Sequence, residues 1–122
     1  MASLGHGQVW WADLDDDDDK IRPVVVLTRA VIAPRLRRVV VAPVTSTVRN
    51  IATEVPLGAG EGVRTGSVAN LDNVQLLDVE RLLGQAGAVP VERWPEFCAA
   101  MHRVMGCRRW SPPSASTYRT ST

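Results

Sequence analysis

The sequence predicts a mostly β fold of the α+β class: a small antiparallel β-barrel or sandwich with short helices and one C-terminal amphipathic helix. Three observations lead there. Short runs rich in β-branched and aromatic residues recur between residues 7 and 89, glycine-containing turns separate them, and the apolar period lengthens to three and four only near the C-terminus.

Gly7 to Leu14 places Val9, Trp10 and Trp11 near alternation after a glycine and reads as the first strand. The aspartates that follow belong to a loop, because adjacent like charges repel and aspartate favours neither regular structure. Ile21 to Thr28 is a second strand, apolar enough from Val24 to Leu27 to be buried on both faces. Pro23 has no amide donor, so it belongs near the start of that strand, where one side is still unpaired. Val39 to Val44 is a third apolar strand and leaves into three hydroxyls, Thr45, Ser46 and Thr47. Thr53 to Leu57 alternates and carries Pro56, which suits an edge. Gly58, Gly60 and Gly62 mark a turn, after which a fifth strand starts at Gly66 and is expected to run on through Val74, Leu76 and Leu77. Asp78 is placed to cap one helical turn over Val79 to Leu83, and Gln85 to Val89 makes a short strand. From Val91 to Met105, Val91, Trp94, Cys98, Met101, Val104 and Met105 follow a helical period, with Pro95 in the first turn and Gly106 as the stop.

At 122 residues and 13.3 kDa the chain fits one domain, assigned to residues 1–110, and the Ser/Thr/Pro-rich stretch 111–122 has too little to bury and is expected to be disordered. No signal peptide and no membrane-spanning run is visible, so a cytoplasmic protein is expected. Cys98 and Cys107 lie nine residues apart near one helix, which turns them to roughly opposite faces, and reduced thiols are expected. The net charge of +1 conceals strong segregation. Six of the seven residues from Asp13 to Asp19 are acidic, whereas Lys20 to Thr53 holds seven cations and no carboxylate. The aspartate run lacks the glycine and terminal glutamate of an EF-hand loop, and the two histidines and two cysteines are not at zinc spacing, so neither metal nor cofactor is expected.

Arg22 sits where the charged loop meets the second strand. Its planar, five-donor guanidinium suits a phosphate, and the apolar run starting after Pro23 fixes its base. Lys20 falls on the same side of an extended chain and is a second phosphate contact or a proton donor. Arg29, Arg35, Arg37, Arg38 and Arg49 offer backbone attraction for a polyanion, against the plainer reading of a solvated face. Alternation sends Trp10 and Trp11 to opposite faces, one to the core and the other to a base or a contact between copies. His6 reads as a mobile terminal residue and His102 as a polar-face helix residue.

Four stretches in order resemble the MazF/PemK toxins of bacterial toxin–antitoxin systems: Gly7 to Leu14, Lys20 to Leu27, Val41 to Thr47, and Ser67-Val68 with Leu71-Asp72 and Leu77-Asp78. The resemblance covers roughly Gly7 to Gly106. It implies a homodimeric SH3-like barrel with appended helices, acting as a metal-independent endoribonuclease on single-stranded RNA at short preferred sequences. It further implies products with a 2′,3′-cyclic phosphate and a 5′-hydroxyl, and a small antitoxin whose flexible acidic tail covers the RNA groove. Carried over by position, the catalytic arginine falls on Arg22 and the catalytic hydroxyl on Thr45; on that reading Ser46 and Thr47 beside it, and Lys20, Arg29, Arg37 and Arg49 from their own charge and placement, are expected as RNA-binding or supporting residues. Two departures stand out: Asp15 to Asp19 replace a proline- and glycine-containing loop, and Asn73 stands where many relatives carry glutamine. The rival reading is a non-enzymatic toxin on the same scaffold, as in the gyrase-poisoning CcdB branch, or a protein-interaction barrel.

Overall fold

A computed structural model describes residues 4–14 and 21–106. Seven strands form one mostly antiparallel sheet: β1 (Gln8–Asp13), β2 (Ile21–Val26), β3 (Arg38–Thr45), β4 (Glu54–Leu57), β5 (Ser67–Asn70), β6 (Gln75–Asp78) and β7 (Leu82–Ala88), followed by the helix α1 (Trp94–Val104). The strand order is β4-β5-β3-β2-β1-β7, with β6 pairing a different part of β3. The mostly β expectation with a C-terminal helix holds. No ladder joins β7 to β4 among the described residues, so the strands curl around a core without closing by hydrogen bonds.

Strand β2 is buried on both sides, as its unbroken apolar run requires. Val25 belongs to a core with Val9, Ala42, Val44, Leu71 and Phe97, whereas Val24 and Val26 belong to a second with Ala12, Val39, Val41 and Leu77. Helix α1 closes the first core with Phe97 and Ala100, packing on β4 and the turn at Leu71–Asn73. Full burial of Phe97 contributes about 2–3 kcal/mol. Pro95 sits in the first turn, where no amide donor is missed, and His102 and Arg103 near the C-terminal end complement the helix dipole.

Three expectations change. The fifth strand ends at Asn70, because Leu71–Asn73 forms a 3-10 turn and β6 is a separate strand on β3. Asp72 and Asn73 are turn residues, and their local preference outweighs the apolar continuity around them. The last strand starts at Leu82 and the helical turn before it is confined to Val79–Arg81. His6 is held in place: its Nδ1 accepts from the Ala30 amide at 3.4 Å and its ring lies 5.3 Å from that of Trp94. No described helix is long and apolar enough to cross a membrane. Lys20, Asp15 to Asp19, Cys107 and the 111–122 tail lie outside the described residues.

Candidate active site

The groove opens where one ladder ends and another begins. The β2–β3 ladder runs from Val26–Val41 to Val24–Pro43 and stops. Leu27 donates to the Val40 carbonyl at 2.8 Å, so the next β2 residues whose amides face β3 are Val25 and Pro23, and Pro23 has no donor with which to carry the pairing further. Beyond it β3 turns to β5, pairing Val44 with Ala69 and Thr45 with Val68. Continuing the β2–β3 register by two residues sets Arg22 opposite Thr45 across the gap.

That gap is an open groove of about 570 Å³. Arg22, Thr45, Ser46 and Arg64 supply its charge and hydroxyls, Ser67 adds a buried residue, and Trp11, Ile21, Pro23 and Val44 form apolar walls. Arg22 is half-buried, with its Nε out of reach of solvent. Thr45 is also half-buried, and its Oγ1 accepts from the Thr47 amide at 3.1 Å. One lone pair is thereby occupied, and the hydroxyl proton remains available to a ligand. These lining residues carry two guanidinium groups and no carboxylate, a local field suited to an anion.

The other cations are not gathered here. Arg29 lines a different groove with His6, Trp94 and Cys98, and Arg37 lies with Arg35 and Arg38 beside Leu76 and Asp78. Arg38 begins β3 and Thr45 ends it, which separates that basic cluster from the groove by roughly 23 Å at about 3.3 Å per residue. Arg49 is engaged elsewhere: its Nε donates to Glu54 at 3.1 Å and its Nη2 to Asp72 at 2.9 Å. The Arg49 and Asn50 amides also donate to Glu54, at 3.1 and 2.9 Å, which stabilises the left-handed Asn50, at φ 57°. Arg49 therefore pins the segment between β3 and β4 to the turn after β5. Arg64 and Ser67 are polar groove residues not singled out as a site from the sequence, and Trp11 is the one of the two tryptophans offered for a base or a contact between copies that lines the groove. The signal for Ser67 is the β4–β5 hairpin, which pairs it with Leu57 and sends Arg64 back over the end of β3.

This clamp should show in acid. The Arg49 hydrogen bond holds Asp72 below the ordinary aspartate range. Burial pushes Glu54 up, but backbone and side-chain hydrogen bonds from Arg49 outweigh it and leave the carboxyl low. Lowered folded values mean that the stabilisation is complete above the ordinary carboxylate range and is lost as pH falls through the lowered ones. Arg49→Met is expected to lower Tm at neutral pH, with the difference from the parent shrinking as pH falls from about 7 toward 2. A constant difference across a Tm–pH series would remove the clamp.

Residues 6–105 match the family model described as the PemK-like, MazF-like toxin of type II toxin–antitoxin systems. The chain belongs to that family. Among its relatives, the probable endoribonuclease MazF5 of Mycobacterium tuberculosis is 38% identical over 111 residues, covering 89% of this chain and 100% of that protein. Endoribonuclease MazF3 of the same species is 45% identical over 83 residues, covering 68% and 81%. The solved structure of M. tuberculosis toxin MazF-mt6 superposes with a TM-score of 0.73 at 40% identity, covering 80% of this chain and 94% of that one. A mycobacterial endoribonuclease solved in complex with its cognate antitoxin gives a TM-score of 0.76 at 26% identity, covering 89% and 100%. The MazF/PemK match spans both strand ends of the groove, including Arg22 and Thr45.

Proposed function

We propose that this MazF/PemK-family toxin is an endoribonuclease that cleaves single-stranded RNA within the groove between β2 and β3. The observation that carries the reading is the placement of Arg22 and Thr45 on one groove at the point where the β2–β3 ladder stops. Relatives named as endoribonucleases support it.

RNA supplies its own nucleophile. The 2′-oxygen attacks the adjacent phosphorus, the bond to the 5′-oxygen breaks, and the products are a 2′,3′-cyclic phosphate and a 5′-hydroxyl. The protein's tasks are to align the 2′-oxygen with the leaving oxygen and to stabilise charge on the phosphorane oxygens. Arg22 donates two hydrogen bonds to those oxygens, Thr45 donates a third, and Arg64 holds a neighbouring phosphate. A guanidinium gives up a proton reluctantly, so Arg22 acts as a charge stabiliser rather than a base. The chemistry needs no metal on this reading. The chain works as a homodimer, and a cognate antitoxin inhibits it by laying an acidic tail along the cationic groove, a partnership supported by the relative solved with its antitoxin. A gyrase-binding or purely adhesive protein has no need of an arginine and a hydroxyl lining one groove.

Purified protein incubated with mixed-sequence RNA in EDTA tests the proposal. Fragments with 5′-hydroxyl and cyclic-phosphate ends are expected, and intact RNA across the whole pool would refute cleavage.

A further inference from the structure

We propose that Trp11 is the stacking platform for the nucleobase beside the scissile phosphate, a role that rests on the endoribonuclease reading. Three tryptophans lie among the described residues, and the fold packs two of them. Trp10 donates from Nε1 to Gln8 Oε1 at 2.9 Å and packs on the second core. Trp94 stacks on Phe97 with ring centroids 5.0 Å apart and planes 13° from parallel. Trp11 is 40% exposed and lines the groove that holds Arg22 and Thr45.

Strand register explains why this ring stays bare. Trp11 pairs with Pro23 on β2 and with Gly84 on β7. Directly paired residues share a face of the sheet, so the indole has a pyrrolidine ring on one flank and no side chain on the other. A Cβ added at Gly84 would meet no heavy atom within 4 Å, which makes that flank open space. The lining of the groove thus includes an exposed indole as well as the guanidinium-bearing residues Arg22 and Arg64. Single-stranded nucleic acid presents the complementary pair, a base face and flanking phosphates, and every base has such a face. Trp11 accordingly governs affinity and the placing of the chain over Arg22, with only modest preference among bases.

The test compares the parent protein with Trp11→Ala, Trp11→Phe and Gly84→Leu on a mixed-sequence RNA oligonucleotide pool. The same pool made with 2′-O-methyl ribose, which cannot be cleaved, measures binding. Trp11→Ala is expected to weaken binding and raise KM by about tenfold to a hundredfold, with kcat changed by less than about threefold. Trp11→Phe recovers most of the binding. Gly84→Leu, whose side chain would fill the open flank, weakens it with the indole still present. Unchanged binding and KM in Trp11→Ala overturns the proposal. So does a loss accompanied by a change in sedimentation, because the ring would then serve a contact between copies. A parent protein that binds the methylated pool through Trp11 yet leaves RNA intact would sink the cleavage reading and keep the platform.

Discussion

Arg22→Ala is expected to slow single-turnover RNA cleavage by about a hundredfold to a thousandfold while the protein stays folded. The loss follows from where charge develops. An attacking 2′-oxygen adds negative charge to the phosphorane, and the groove offers two guanidinium groups and two hydroxyls from Thr45 and Ser46 to receive it. Arg22 is the better placed of the two arginines. Its strand is fixed on both faces by Val24, Val25 and Val26, so the base of the side chain needs little reorganisation as charge builds. Arg22→Lys is expected to restore little, because an ammonium cannot reproduce two parallel hydrogen bonds to one phosphate. Thr45→Val should cost less, since a neutral donor is removed and Ser46 lies next to it. Rates measured at saturating enzyme, with a circular-dichroism melt of each variant, separate chemistry from folding. A folded Arg22→Ala protein that cleaves at the parent rate removes Arg22 from the mechanism.

The parts of this architecture that were legible in the sequence are those written in local chemistry. The unbroken apolar run of β2 announced burial on both faces and Pro56 announced an edge, whereas the helical period read from Val91 to Met105 found the helix but not its buried face: Phe97 and Ala100 are buried, and Val91, Val104 and Met105 are exposed. The positions of Arg22 and Thr45 at strand ends were legible because each is marked by its neighbours, Pro23 on one side and a run of hydroxyls on the other. What could not be read depends on pairings between distant segments. Trp11 and Trp10 are equivalent until β7 is known to place Gly84 beside one of them, and Arg64 joins the groove only through the β5 pairing with the end of β3. The cations between Lys20 and Thr53 look like one basic field along the chain. The antiparallel ladder then carries Arg37 to the far end of β3, and Glu54 and Asp72 engage Arg49. Charge counted along a sequence carries no information about which end of a strand it reaches.

Gly62→Ala is expected to cost about 3–5 kcal/mol of stability, enough to lower Tm by roughly 15–30 °C in a domain of this size. Two penalties act at one residue. Gly62 has φ 86°, a left-handed backbone that an added Cβ disfavours. That Cβ would also fall against the carbonyl of Ala86 and 3.1 Å from the Cα of Gly87 on β7. The approach is reciprocal, because a Cβ at Gly87 would fall against the Glu61 carbonyl and 3.1 Å from the Cα of Gly62. Two backbones touch here without side chains between them, and the contact holds the loop that leads to Arg64 and Ser67. Glu61 secures the same loop, accepting from the Gly58 amide at 2.8 Å and pairing with Arg93 Nη1 at 3.3 Å. Gly60→Ala is the control, since its Cβ would meet nothing within 4 Å and its expected cost is about 1 kcal/mol or less. Equal melting temperatures for Gly62→Ala and Gly60→Ala would mean that the close approach does not hold the loop. Since Gly62→Ala and Gly87→Ala push apart the same pair of backbones, the double variant should lose less than the sum of the single losses. Strict additivity would show that the loop and β7 yield independently, and Arg64 would then owe its place in the groove to the β4–β5 hairpin alone.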